Sequence, residues 1–212
     1  MRLTKFGHAC VRLEKGGRTL VLDPGAFTEA EALDGADAVL VTHEHFDHFE
    51  EARLRAAAEA NPALRVWTNG AVAEQLTGLG EGRVHRVGHG DAFTVEGFEI
   101  QVYGEWHAQI HPDIPRVGNI GFTVDGELFH PGDALTVPEQ EVGTLLLPVH
   151  APWSKTAEVV DYARAVGAAR ALALHDAMLS DIGLAGIERF VGMLAKDVDY
   201  RRLTSGESVE LG

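Results

Sequence analysis

The chain of 212 residues carries 18 Lys and Arg against 32 Asp and Glu, a formal charge of −14, with 45% hydrophobic and 24% charged residues. That length suits one domain, residues 1–212, with a sizeable core, and the composition is globular rather than disordered. The acidic balance without a basic stripe argues against nucleic acid as a partner, and Cys10, the single cysteine, excludes an intrachain disulfide and a Cys-rich zinc module. The first eight residues lack the apolar run of a signal peptide and no later stretch has the length of a membrane span, so a cytoplasmic protein with no membrane partner is expected.

In chain order, residues 3–6, 9–13 and 19–22 read as strands, with Lys15-Gly16-Gly17-Arg18 as a hairpin connection and Asp23-Pro24-Gly25 as the turn ending the third. His8, beside Gly7 between the first two strands, reads on its own as a turn residue. Residues 38–41 form a buried strand that runs into Thr42-His43-Glu44-His45-Phe46-Asp47-His48. Residues 49–60 then read as a helix, with Glu50 and Glu51 in its first turn and Asn61-Pro62 as its stop.

Residues 66–67 are a short strand, and Asn69 can cap a brief helix reaching Leu76. Strands at 84–87 and 92–95 flank Gly88-His89-Gly90-Asp91, with His85 and His89 read as solvated loop residues. Phe98, Ile100 and Val102 alternate with Glu99, Gln101 and Tyr103, the pattern of a strand with one buried face, which leads into Gly104-Glu105-Trp106-His107. Residues 119–124 and 127–129 form a hairpin about Asp125-Gly126 that ends in His130-Pro131-Gly132-Asp133.

Residues 144–147 and 171–174 are continuous apolar runs, read as buried strands that end at Pro148-Val149-His150 and at His175-Asp176. Between them Ser154 or Thr156 can cap a helix with Val159, Ala163 and Val166 on one face and Gly167 at its end. A last helix places Ile187, Phe190, Val191 and Leu194 on one face, and short strands follow at 200–203 and 208–211. No fixed-period repeat and no Pro-, Gly- or Ser-rich linker divides the chain.

Four separated strand ends thus present His43, His45, Asp47 and His48, then His107, then Asp133, then His175. Zinc takes imidazole nitrogen and carboxylate oxygen in four- or five-coordinate sites, and a catalytic ion keeps one position open for water. Five histidines and two aspartates exceed the needs of one such ion and suit two.

On these residues the chain resembles the metallo-β-lactamase-fold hydrolase superfamily: the 42–48 motif, His107 after a strand, Gly132-Asp133 after a hairpin and His175 after a late buried strand occur in order over nearly the whole chain. Phe6-Gly7-His8-Ala9-Cys10, followed by Leu20-Val21-Leu22-Asp23-Pro24-Gly25, is similar to the lactonase- and phosphodiesterase-like branch that includes ascorbate-6-phosphate lactonase-like proteins. The resemblance implies an α/β fold, a four-layer αββα sandwich with its site along one edge of the facing sheets. It implies that His43, His45 and His107 hold one metal ion, that Asp47, His48 and His175 hold the other, and that Asp133 bridges them. Zinc is the first expectation, with manganese, iron or nickel compatible with the same donors.

The activity so implied is hydrolysis of a small-molecule lactone or phosphate ester by a metal-bound hydroxide, with Asp47 orienting the nucleophile and His8 lining the site as a catalytic residue. His8, His111 and His150 are the spare imidazoles suited to protonating a leaving group near neutral pH, and Trp106 and Trp153 are candidates for a pocket wall or for core. His45 stands where flavodiiron-type sites have Glu, and the large insertion of the nucleases and the secretion signal of antibiotic-hydrolysing members are not seen. The alternative is a metal- or partner-binding module of the same fold without turnover.

Overall fold

A computed structural model describes residues 1–212, and its layers follow from the two-residue alternation of its strands. Strands β1 (Arg2–Phe6), β2 (Cys10–Lys15), β3 (Arg18–Leu22), β4 (Ala38–Val41), β5 (Arg65–Thr68) and β6 (Val84–Arg86) lie side by side in chain order in one sheet. Strands β7 (Ala92–Val95), β8 (Phe98–Tyr103), β9 (Gly121–Val124), β10 (Leu128–His130), β11 (Thr144–Pro148), β12 (Arg170–Leu174) and β13 (Asp199–Arg201) make a second sheet, also in chain order. The last strand, β14 (Ser208–Glu210), crosses back to pair antiparallel with β1, so the chain's end closes the first sheet.

Successive residues of the central strands face opposite layers. Leu20, Leu22, Leu40 and Trp67 from the first sheet meet Phe98, Ile100, Phe122, Leu146 and Leu172 from the second in one core between the sheets. Their neighbours Val21, Val39, Val41 and Val66 point outward to Leu54 and Ala58 of α1 (Glu51–Ala60) and to Val72 of α2 (Gly70–Gln75). On the other side, Leu145, Leu147, Ala171 and Ala173 point outward to Val159 and Ala163 of α3 (Thr156–Val166) and to Ile187 and Val191 of α4 (Asp181–Leu194). Apolar residues on both faces of β3, β4, β11 and β12 therefore require a cover on each side, and the result is the expected αββα sandwich.

Four details differ from the sequence reading. Helix α1 begins at Glu51, because His48 and Phe49 both donate their N–H to the His45 carbonyl and are used in the turn before it. Ser154 directs its hydroxyl to Ala151, and the first turn of α3 is closed by Glu158, whose carboxylate accepts the Lys155 N–H at 2.9 Å. On α4 only Ile187 and Val191 are buried, while Phe190 and Leu194 are exposed, because α3 and β13 cover a narrower stripe than the pattern allows. His85 lies in β6 and stacks on Trp67, with ring centroids 4.5 Å apart, rather than standing free in a loop.

No helix is long and apolar enough to cross a membrane. The core between the sheets depends on its large side chains, and Phe122 is fully buried within it. Phe122→Ala is expected to cost about 3–5 kcal/mol of folding stability through the cavity it leaves, read as a lower denaturant midpoint at unchanged slope.

Candidate metal centre

The parallel pairing of β3 with β4 and of β11 with β12 brings the carboxyl ends of these strands to one edge of the sandwich, where the chain can leave the pleat and converge. The turn after β4 carries His43, His45, Asp47 and His48; the loop after β8 carries His107; Asp133 follows β10 and His175 follows β12. All seven meet there. His43 Nε2 is 3.1 Å from His45 Nδ1, and the rings of His43 and His45 lie 5.0 and 4.6 Å from that of His107. Asp133 places Oδ1 3.0 Å from His48 Nε2, and Oδ2 3.3 Å from His107 Nε2 and 3.2 Å from His175 Nε2. Asp47 Oδ2 is 3.3 Å from His175 Nε2.

Hydrogen bonds at the far side of each ring decide which nitrogen is left to the cluster. His48 Nδ1 donates to Asp23 Oδ2 at 2.7 Å, His107 Nδ1 to the Ala108 carbonyl at 2.6 Å and His175 Nδ1 to the His150 carbonyl at 2.6 Å. Thr42 gives its hydroxyl proton to Asp23 at 2.7 Å and so can only accept, at 3.0 Å, from His43 Nδ1. In all four rings Nε2 is therefore the nitrogen turned toward the cluster, the one a cation would take in place of a proton, as carboxylates and carbonyls behind metal-bound imidazoles require. His8 is the reverse case. The Ala177 N–H donates to its Nδ1 at 3.1 Å, so its proton sits on Nε2, 3.6 Å from Asp47 Oδ2. His8 therefore borders the cluster as a donor, although its ring nitrogen lies within reach of Asp47 and His175.

Whether this pocket fits a cation can be tested on its unsatisfied atoms. Nine buried side-chain polar atoms lack a hydrogen-bond partner, and five of them, Nε2 of His8, His48, His107 and His175 and Oδ1 of Asp133, converge here. An unpartnered buried polar atom costs about 1–3 kcal/mol, so such a concentration is stable only if something completes it. Imidazole nitrogens and carboxylate oxygens without a thiolate are the donor set of zinc and similar divalent ions.

Electrostatics without a metal point the same way. Burial works against a charged His175, yet Asp133 and Asp47 outweigh it and push its pKa up to about 9; Asp133 and Asp23 likewise overcome burial to raise His48 well above the usual range. Burial and the neighbouring imidazoles hold His43 well below that range. Asp47 and Asp133 remain ionised, because bonds and charge from His175 and His48 overcome the upward pull of burial. The metal-free cluster thus keeps its carboxylates charged by holding protons where a cation would sit.

Two residues at the site, Asp23 and Asn119, were given no role there by the sequence. Asp23, read as a turn, is fully buried and accepts from the Thr42 N–H, the Thr42 hydroxyl and His48. Asn119 accepts the Asp133 N–H and donates to the Pro131 carbonyl, both at 2.9 Å, so it aims the Asp133 loop. Between these contacts sits Gly132 at φ +62°, where a Cβ would lie 2.2 Å from Asn119 Oδ1. Trp153, undecided between wall and core, donates Nε1–H to Asp133 Oδ2 at 2.9 Å. Of the spare imidazoles, His111 is exposed in the loop beyond His107 and pairs with Asp113, and His150 contributes its carbonyl to His175.

A cluster of this composition at the strand-end edge of an αββα sandwich defines a metallo-hydrolase. Residues 2–175 match the family described as "Beta-lactamase superfamily domain", and the chain belongs to it. It is 41% identical over 187 residues to "Protein Rv0786c" of Mycobacterium tuberculosis, covering 85% of this chain and 86% of that one. It is 30% identical over 161 residues to a "UPF0173 metal-dependent hydrolase" of Methanopyrus kandleri, covering 70% and 69%. Among solved structures it is similar to the metallo-beta-lactamase fold protein YhfI from Bacillus subtilis, with a TM-score of 0.76 at 16% identity over 100% and 99% of the two chains. It is also similar to Igni18, a metallo hydrolase from Ignicoccus hospitalis, with a TM-score of 0.75 at 19% identity over 98% and 97%. The protein is a metal-dependent hydrolase of the metallo-β-lactamase superfamily.

Two outcomes are expected. Asp23→Ala removes the acceptor behind His48 and Thr42, and zinc affinity measured by competition with a chelator falls about 10–100-fold. Because His175 holds its proton up to about 9 when metal-free and its ordinary value is 6.5, a cation competes with that proton across this window. Zinc binding therefore strengthens as pH rises from 6.5 to 9 and releases protons, about one to two at pH 7.5, measurable by calorimetry in buffers of differing ionisation enthalpy.

Proposed function

We propose that residues 1–212 act as one catalytic domain that hydrolyses a small-molecule lactone or phosphate ester at a dinuclear metal centre, on the pattern of lactonase- and phosphodiesterase-like, ascorbate-6-phosphate lactonase-like proteins. The observation that carries this reading is the convergence of Nε2 atoms from His48, His107 and His175, none with a hydrogen-bond partner, with an unpartnered Asp133 oxygen at one edge. His43, His45 and His107 would hold one divalent ion and Asp47, His48 and His175 the other, with Asp133 between them; zinc is the first choice, and manganese, iron and nickel suit the same donors. When bound, such ions lower the pKa of water to about 7 and stabilise negative charge on a substrate oxygen.

The chain's own groups supply the rest. Asp47 stays ionised and half-buried, so it can accept a hydrogen bond from the attacking water and fix its direction. His8 presents Nε2–H on the same side and can give that proton to the departing oxygen, while the Ala177 N–H keeps its ring in the donor tautomer. Trp153 holds one Asp133 oxygen in place with a neutral donor, which leaves the carboxylate its charge. The acidic surface, the small size and the absence of a basic stripe favour a small substrate over a nucleic acid.

Purified protein reloaded with zinc or manganese is expected to contain two ions per chain by elemental analysis and to turn over a member of a lactone, thioester and phosphodiester panel. Inactivity across all three classes, or a single ion, would overturn the reading. Asp133→Ala is expected to lose the paired ions together, whereas His8→Ala keeps metal content near normal and lowers kcat about 10²–10⁴-fold.

A further inference from the structure

Ten large apolar side chains are exposed on this protein, and their placement is not scattered. Four belong to α4; the other six, Phe27, Phe46, Trp106, Ile114, Val137 and Met178, sit on the loops that bear the clustered residues or pack against them. Phe46 lies within the metal-type turn itself, between His45 and Asp47, and is 62% exposed. Phe27 meets it edge-on with centroids 5.4 Å apart, and also meets the His8 ring edge-on at 5.7 Å. Phe27 thus links the buried His8 ring to the exposed ring of Phe46.

Their position is built rather than incidental. The loop at 24–28 lies directly on the turn after β4: the Ala26 N–H donates to the Phe46 carbonyl at 2.7 Å, and Arg53 holds the Gly25 and Thr28 carbonyls from below. Gly25 makes that approach possible, since a Cβ there would fall 2.0 Å from the Asp47 carbonyl oxygen. Leaving such rings in water forfeits the burial each could gain, and exposed apolar clusters mark binding surfaces.

Charge at the same mouth narrows what binds. Across residues 24–28, 42–50, 104–118, 131–137, 149–155 and 175–180 there are two Lys or Arg residues: Lys155, exposed and paired with Glu158 at 3.3 Å, and Arg116. Its Nε donates to the His107 carbonyl at 2.9 Å, and its guanidinium stands 5.7 Å over the Trp106 ring. Glu44, Asp47, Glu105 and Asp113 lie on the same loops, so a phosphate group would meet acids with almost no protein cation to hold it.

Building on the hydrolytic reading above, we propose that the substrate is a neutral carbonyl ester or lactone carrying an alkyl or aryl substituent, and that this substituent packs on the Phe27–Phe46 face. In the reaction one water is consumed: its oxygen bonds to the carbonyl carbon, the carbon–oxygen ester bond breaks, and one water proton passes to the departing oxygen, giving an acid and an alcohol. Phe27 and Phe46 set specificity.

The test uses zinc-loaded full-length protein and three neutral or anionic series with ethyl to octyl chains: γ-lactams, which resist hydrolysis, read by calorimetry; the matching γ-lactones, read by turnover; and alkyl methyl phosphates, read by both. Lactam affinity and lactone kcat/KM are expected to rise about two- to fourfold per added methylene. In the double variant Phe27→Ser, Phe46→Ser, which alters exposed positions, that dependence is expected to flatten. Lactam affinity independent of chain length, or phosphates binding more tightly than lactams of equal chain, would overturn the proposal. Chain-dependent lactam binding without turnover of any lactone would uphold the apolar subsite and overturn the hydrolytic reading beneath it.

Discussion

The site depends on one buried anion. Asp23 ends β3 with no solvent exposure, and an isolated carboxylate in that position is untenable unless its lone pairs are filled. The parallel pairing of Leu22 with Leu40 places it beside the start of the next turn, where the Thr42 N–H, the Thr42 hydroxyl and His48 Nδ1 all donate to it. Each donation has a second effect. By taking the Thr42 proton, Asp23 turns that hydroxyl into an acceptor for His43, so one carboxylate sets the tautomer of two rings that face different parts of the cluster.

A second constraint is that neither sheet can make this centre alone. The turn after β4 belongs to the first sheet, while His107, Asp133 and His175 hang from the second. Thr42 and Asn69 join the two: the Ile120 N–H donates to the Thr42 carbonyl at 3.1 Å, and Asn69 Nδ2 donates to Gly118 at 3.0 Å. Closing the core between Leu22, Leu40, Phe122 and Leu146 is therefore the same event as gathering the imidazoles. An ion bound by that gathered set adds its binding free energy to folding, since the unfolded chain offers no comparable site.

This division explains what could be read in the sequence. Alternation in residues 98–103, continuous apolar runs at 144–147 and 171–174, and turn signals such as Asp125-Gly126 identify strands because each is a local consequence of burial and backbone sterics. The seven clustered side chains were legible for a similar reason, as each sits where a strand stops. What was hidden is partnership at long range. Nothing near His8 reveals that an N–H 169 positions away fixes its proton, and nothing near His175 reveals that the carbonyl of His150 fixes the opposite tautomer. Asp23 looked like a turn residue because its turn is local and its three donations are not. The face of α4 was overread because periodicity reports which residues could be buried, whereas the width of α3 and β13 decides which are.

Backbone strain completes the picture. Four non-glycine residues have positive φ; two, Glu96 and Asp125, make hairpin turns, and the other two, Asp23 at 50° and His175 at 57°, are at the cluster. A left-handed residue outside a turn persists only when its surroundings over-determine it. For Asp23 the filled carboxylate does so. For His175 the restraint comes from both sides of the backbone: its N–H donates to the His8 carbonyl at 2.9 Å, and the next residue, Asp176, is buried in contact with Lys5 at 2.7 Å and Arg202 at 2.9 Å. Lys5 lies in β1 and Arg202 follows β13, so an ion pair between the first and last parts of the chain clamps the turn that aims His175. That geometry accounts for a lysine and an aspartate buried where apolar residues would pack at lower desolvation cost: they specify the direction of one imidazole, and through the His8 carbonyl they tie the donor on β1's turn to it.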